Sequence, residues 1–240
     1  MRILQPSWPQ EKLLRRGTYH YFSAGEPTGD VEHWQVTRLP DRSQIVRADL
    51  DGRNSSGASL LATMRRDPDG RPMWLRLRFE HGEINTGGQY NFRESAVDVV
   101  RLTGDFRRRM ETVEIATDYV VNFHALISYE YVWRGYPEDA DSEIRLIPVF
   151  SPELWVDADE VLAGRALRVS VRPDAHSHCE VPAGAFEDCR CFAVELGDGI
   201  ESKVWFDKYG TPLRWHYPEQ DFDFKLVEYE PPDEPAGPGT

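Results

Sequence analysis

Asp67-Pro68-Asp69-Gly70-Arg71-Pro72-Met73-Trp74-Leu75-Arg76-Leu77-Arg78-Phe79 is the stretch on which the fold class turns. Its first four residues form a strong turn, because glycine enters the positive-φ region without steric cost and proline presets its own φ. Beyond it, Leu75, Leu77 and Phe79 alternate with Trp74, Arg76 and Arg78. A period of two gives a strand one buried and one wetter face. Residues 59–65 form the arm that enters the turn.

Outward from this hairpin the pattern repeats. Toward the N-terminus, strands are expected at 18–22, 31–38 and 44–50, separated by turn formers at 25–30 and 40–43. In the second of these, His33, Gln35 and Thr37 share one face, and Trp34 and Val36 the other. Residues 1–16 read as a loop with a short helical turn at 11–16. Toward the C-terminus, strands are expected at 82–85, 96–102, 112–117, 143–150, 167–172, 176–181, 186–196, 201–206, 212–216 and 222–229. The period changes once: Tyr119, Val120, Phe123, Leu126, Ile127 and Tyr131 recur at three- and four-residue steps. This predicts one amphipathic helix from 118 to about 133, with Asp118 as its N-cap and Gly135 and Pro137 ending it.

The expected fold is therefore mainly β: a strongly curved antiparallel sheet, half-barrel or β-roll, with one main helix capping a cavity. Residues 1–229 form one domain, and 230–240 are a disordered tail by composition. Asp67-x-x-Gly70-x-Pro72-x-Trp74 echoes Asp207-x-x-Gly210-x-Pro212-x-x-Trp215. The echo leaves open either a duplication of halves 17–117 and 118–229 or two similar hairpins.

Composition narrows the function classes. The 240 residues carry 41 acidic and 28 basic side chains, a net charge of −13. Such a surface repels phosphate backbones and anionic membranes, so no nucleic-acid partner is expected. No segment has the ~18 consecutive apolar residues that suggest a spanning helix, so no membrane insertion is expected. The N-terminus shows no export signal, which makes the cytoplasm the expected compartment. The three cysteines fit reduced thiols better than a disulfide framework. Oligomeric state is not legible. Phosphate loops, dinucleotide fingerprints, G-x-S-x-G elbows and H-E-x-x-H are absent, and no cofactor is expected.

Residues 120–229 carry a resemblance. Val181-Pro182-Ala183-Gly184-Ala185-Phe186 is followed by Lys203-Val204-Trp205-Phe206-Asp207 and Gly210-Thr211-Pro212-Leu213-Arg214-Trp215. This resembles uncharacterised bacterial β-domains with hairpins V-P-A-G-x-F and W-x-D-x-x-G-x-P-L-R. These are similar to half-barrel lipid and lipoprotein carriers and to β-rolls proposed to bind glycolipids. The resemblance implies a curved sheet over an apolar cavity and transfers no catalytic residue. Such carriers are mostly exported, so an intracellular role with a small apolar molecule is the expectation.

Four constellations bear on chemistry. His176, His178, Cys189 and Cys191 have zinc-ligand identities. Same-face neighbours on a strand lie about 6.6–6.8 Å apart, however, too far to converge without a bulge. An ordinary sheet face is the alternative, and no metal is assigned. His124, Tyr119 and His20 are the candidate acid–base groups, against a reading in which Asp118 only caps the helix and His124 sits at a boundary. Trp34, Trp74, Trp133, Trp205, Trp215 and Tyr21 either line a cavity or fill a solid core. Arg76 either anchors an anionic ligand group or balances acids on a solvated face.

The leading expectation is a protein that binds a small apolar or amphipathic, lipid-like molecule in an aromatic-lined cavity. The alternative is a cofactor-independent lyase, isomerase, cyclase or hydratase using His, Tyr and carboxylate acid–base chemistry. Whether the protein is an enzyme stays open.

Overall fold

The computed structural model describes residues 8–105, 107–116, 118–136, 143–154, 157–174, 177–196, 199 and 201–233. Sixteen strands follow one another: β1 Lys12–Ser23, β2 Glu26–Arg38, β3 Gln44–Asp51, β4 Ala58–Arg66, β5 Pro72–His81, β6 Ile84–Phe92, β7 Ala96–Leu102, β8 Arg108–Glu114, β9 Val120–Val121, β10 Arg145–Pro152, β11 Gly164–Pro173, β12 Ser177–Val181, β13 Gly184–Glu195, β14 Glu201–Phe206, β15 Pro212–Tyr217 and β16 Phe222–Glu230. They form one sheet in the order β8-β7-β6-β5-β4-β3-β2-β1-β16-β15-β14-β13-β11-β10-β9, with β12 paired to β13 off the path. Among the described strands every pairing is antiparallel except β9 on β10, where Val120 and Val121 face Val149 and Phe150 in parallel. Residues 11–16, expected as a helical turn, belong mostly to β1, which starts at Lys12. The expected tail lies mainly outside the described residues, from 234 onward.

Among the described residues no hydrogen-bonded ladder closes the sheet between its end strands, β8 and β9. Its two ends nevertheless touch. Tyr90 of β6 and Phe150 of β10 hold their ring centroids 5.8 Å apart. They stand eleven places apart in the strand order. A flat array at ~4.8 Å per strand would separate them by roughly 50 Å, so the array is not flat. Side chains bridge the ends: Tyr90 Oη donates to the Leu162 carbonyl at 2.7 Å, and Arg101 to the carbonyls of Asp159 and Val161 at 2.9 and 3.1 Å.

Burial follows strand parity. On β5, Leu75, Leu77 and Phe79 are buried, while Arg76 and Arg78 are exposed and Trp74 is half-buried. The inward residues join one core around Tyr19, Trp34, Tyr90, Phe150, Phe192, Phe206 and Trp215. Tyr19 and Trp34 stack at 5.7 Å. Gly17 leaves them room, since a Cβ there would meet the Trp34 ring at 2.7 Å.

The expected helix over 118–133 is replaced by something shorter. A 3-10 turn covers Leu126–Tyr129 and a helix, α1, covers Glu130–Arg134. Asp118 is no N-cap: its φ is +60°, and His124 is also left-handed at +59°. Local bonds compete with the helix. The Asn122 Oδ1 accepts from the His124 amide at 2.7 Å and from Ser128 Oγ at 3.0 Å. Val120 and Val121, β-branched, pair as strand instead. Gly135 does end the helix. Leu126, Ile127, Ser128, Glu130, Tyr131 and Val132 are all buried, so this segment runs through the interior. Among the described residues no helix is long and apolar enough to cross a membrane.

The two echoing hairpins are near copies in geometry. In each, the aspartate amide bonds the carbonyl four residues on (Arg71 or Thr211), and the aspartate Oδ1 accepts from the amides two and four residues on. Gly70 and Gly210 take φ of +84° and +75°. Both turns pack on α1. A Cβ on Gly70 would meet Arg134 Nη1 at 2.5 Å, and one on Gly210 would meet the Trp133 ring at 2.6 Å.

Candidate functional site

The interior is polar at the middle of the helical segment, where the 3-10 turn passes into α1. Glu130, 2% exposed, binds Arg15 at 2.8 Å and both Arg66 and Arg134 at 2.9 Å. Arg15 also donates to the Tyr209 carbonyl at 2.9 Å and to Thr211 Oγ1 at 3.1 Å, tying the second hairpin turn to the helix. Burial alone would raise the Glu130 carboxyl; the three guanidiniums more than reverse this and hold it well below the usual carboxylate range.

Beside the 3-10 turn, lined in part by Leu126 and Tyr129, lies a cavity of about 410 Å³. This falls in the lower part of the ~300–1,000 Å³ range of small-molecule sites. Its wall contains a continuous run of rings. Tyr129 meets Trp215 at 3.9 Å, Trp215 meets Tyr217 at 6.0 Å, and Tyr217 meets Phe224 at 6.1 Å. Phe224 meets Phe222 at 5.1 Å and Tyr21 at 4.5 Å. Leu50, Ala58, Leu60, Phe79, Leu126 and Leu154 add apolar surface. Strand parity supplies these residues: Tyr21, Leu60, Phe79, Trp215 and Phe224 share the core face of five different strands.

Polar groups are few. Asp30 accepts Ser55 Oγ at 2.5 Å and Ser56 Oγ at 2.8 Å on one oxygen, and Thr28 Oγ1 at 3.0 Å on the other. Behind Tyr21 lies Glu32, fully buried. Its carboxyl accepts Tyr21 Oη at 3.0 Å and the amides of Leu126 and Ile127 at 2.6 and 3.1 Å. It thereby satisfies the first orphan donors of the 3-10 turn. Burial pushes its pKa up to about 7 against the lowering effect of these three bonds. Burial and the Glu32 charge push the Tyr21 phenol up. His124 lines the cavity with its side chain exposed, and the surrounding protein lowers its pKa by desolvation, against a bond to the Pro152 carbonyl. Its Nε2 sits 3.1 Å from Ser151 Oγ.

Of the residues expected at a site, Tyr21, His124 and Trp215 meet at this cavity. Tyr119 does not. It lines a separate groove of about 350 Å³ between β8 and the β10–β11 edge, and its hydroxyl donates to the Arg93 carbonyl at 2.9 Å. Burial raises that phenol to about 12. His20, adjacent to inward Tyr21 on β1, faces the other side of the sheet by strand alternation. Trp34 is packed in the core under Gly17. Trp74 and Arg76 sit together on the outer face, the guanidinium 5.1 Å from the indole centroid. Trp133 packs on Phe206 and under Arg190 at 4.7 Å. Trp205 donates to Ser177 Oγ at 3.1 Å on the outer side.

The His/Cys group does not assemble. Ser177, not His178, faces Cys189, and His178 is exposed beside Glu187. His176 lies outside the described residues. The three thiols are buried, and desolvation raises them to about 11–12. Among the described residues no group of three or more His, Cys, Asp or Glu is placed to hold a metal ion. Glu32 is the residue that sequence reading missed. The signal was parity: Glu32 falls on the same face of β2 as Trp34 and Val36.

This architecture is that of a β-barrel-like domain, and comparison with solved structures agrees. The chain matches no known family profile and no curated protein. A β-barrel-like protein of the domain of unknown function DUF1849 from Brucella abortus is similar, with a TM-score of 0.56 at 12% identity over 92% of this chain and 99% of that one. A DUF1089 family protein from Pseudomonas aeruginosa gives a TM-score of 0.49 at 15% identity, over 92% and 95%. The first likeness concerns the fold.

Proposed function

We propose that this protein binds a small apolar or amphipathic molecule in the 410 Å³ cavity, held by a strongly bent sheet of half-barrel kind. The carrying observation is the unbroken run of six rings, Tyr129 to Tyr21, beside unfilled space. Concave, mostly apolar clefts with a few polar groups are where small molecules bind, so an aromatic-lined cleft of this size is a feature to account for. Native mass spectrometry of protein purified from its own host tests the reading. A co-purifying apolar molecule, displaced when Ala58 is enlarged to Leu, is the expected result. No retained molecule, and no uptake of an environment-sensitive apolar dye by the purified protein, would sink it.

One observation favours a second reading, acid–base catalysis on the same ligand. Glu32 near pKa 7 and the Tyr21 hydroxyl form a proton pair whose outer member opens on the cavity. A general base is most effective when its pKa lies near the working pH. Incubating the co-purified molecule with fresh protein distinguishes the two: a product of changed mass or isomeric form that Glu32→Gln no longer makes supports the enzyme, and unchanged recovery supports the binder.

A further inference from the structure

We propose that the ligand of this cavity carries a positive charge: an apolar body bearing an alkylammonium or quaternary ammonium group, held by the ring wall and Asp30. The inference rests on the binding reading above and adds the sign of the ligand's polar end. Three features converge on it. Among the described residues no lysine or arginine lines the cavity, and the basic side chain there is His124, which is exposed and shares a hydrogen bond with Ser151 Oγ. An anionic head group would therefore be taken from water without a guanidinium or ammonium to pair it, which is costly. Backbone donors do not substitute, because the free amides at the start of the 3-10 turn, Leu126 and Ile127, are already taken by Glu32.

The second feature is the pair of carboxyls on one face of β2. Asp30 lies at the cavity wall and Glu32 two residues deeper, and the charge of each raises the Tyr21 phenol between them. The buried guanidiniums of Arg15 and Arg66 are committed to Glu130. The third feature is the ring wall. Tyr and Trp faces carry negative quadrupole charge and attract cations within about 6 Å, most strongly when both are desolvated. Tyr129 and Tyr217, half-buried against Trp215, line the same cavity as Asp30 and offer such faces.

Calorimetric titration at neutral pH with decyltrimethylammonium, decanol and decanoate, each below its micelle-forming concentration, tests the charge while holding the apolar body fixed. The ammonium is expected to bind about tenfold more tightly than the alcohol, with decanoate weakest. Asp30→Asn, which keeps an acceptor for Ser55 and Ser56, is expected to weaken the ammonium about fivefold and leave decanol unchanged. Tyr217→Leu is expected to weaken the ammonium more than the alcohol. Equal affinity for alcohol and ammonium, or preferred binding of decanoate, overturns the charge assignment and leaves the apolar cavity standing. Ammonium binding unmoved by both substitutions places the cation on the acidic surface and also overturns it. Failure of all three probes removes the binding reading itself.

Discussion

Glu130 and Glu32 are both buried to within 2% exposure, and both serve the same nine-residue helical segment, Glu32 at its first amides and Glu130 from its middle. Glu130 has three guanidiniums; Glu32 has two amides and a phenol. The first is driven to ionise and the second, near pKa 7, to keep its proton. One chemical group at one depth thus has opposite character, decided by where cations were placed. Around Glu130 the space is filled with ion pairs and hairpin turns. The region around Tyr21 and Leu126, beside Glu32, borders the cavity.

Removing the Glu130 carboxylate should have the largest effect on stability. Glu130→Gln leaves Arg15 and Arg66 buried without their counter-ion and is expected to cost about 3–5 kcal/mol in urea unfolding. The loss should also appear on acidification. Glu130 titrates lower in the folded than in the unfolded chain, so its contribution is present above the ordinary value of 4.5 and is lost as pH falls below it.

Glu32 should behave in the reverse sense. Its folded pKa is raised, so its contribution is fully present below 4.5 and is lost as pH rises through about 7. Over roughly two and a half pH units at about 1.4 kcal/mol per unit, the swing is on the order of 3 kcal/mol. Comparing unfolding curves of the natural protein and Glu32→Gln across that window checks it, since the variant should lack this slope. A parallel dependence in both would break the contrast between the two carboxyls.

The twin turns sharpen the comparison at smaller scale. Both glycines have positive φ, so alanine is strained at either, by about 1–2 kcal/mol. At Gly210 the new methyl also strikes the Trp133 ring, whereas at Gly70 it meets the far end of Arg134, which can swing away. Gly210→Ala should therefore be the more destabilising, by about 1–3 kcal/mol for overpacking. Equal losses would show that the second turn is not clamped on the helix. The smallest effect belongs to the outer face: Trp74→Ala and Arg76→Ala should change stability by about 0.5 kcal/mol or less and leave uptake of decanol unaltered.

Alternation made most of the sheet readable. Residues 96–102 and 201–206 were expected as strands and are β7 and β14. The helix was misread because the apolar spacing at Tyr119, Phe123, Leu126 and Tyr131 imitates a 3.6-residue period, while the backbone at Asp118 and His124 turns left-handed. Neither residue type announces that choice, since the bonds that fix it run through Asn122 and Ser128. Site residues were harder. Parity on β5 sets Trp74 and Arg76 opposite buried Phe79, so their expected place at the cavity conflicted with an alternation already legible in that strand. The opposite orientations of Trp205 and Trp215 follow from register: Trp205 faces Arg214, which leaves Trp215 for the interior. Register between strands, and the strand order that brings β2, β5, β15 and β16 around one space, depend on long-range pairing that no local pattern carries.

That strand order has a consequence for how the protein is made. β1 lies near the middle of the sheet, and its second neighbour is β16, with Arg16 opposite Glu230. On the ribosome, the first strand keeps an unpaired flank until the last one has emerged. Contacts of such sequence separation close slowly, and a waiting strand flank invites foreign partners. The nascent chain is thus most vulnerable at the strand that, once joined, becomes one of the best protected.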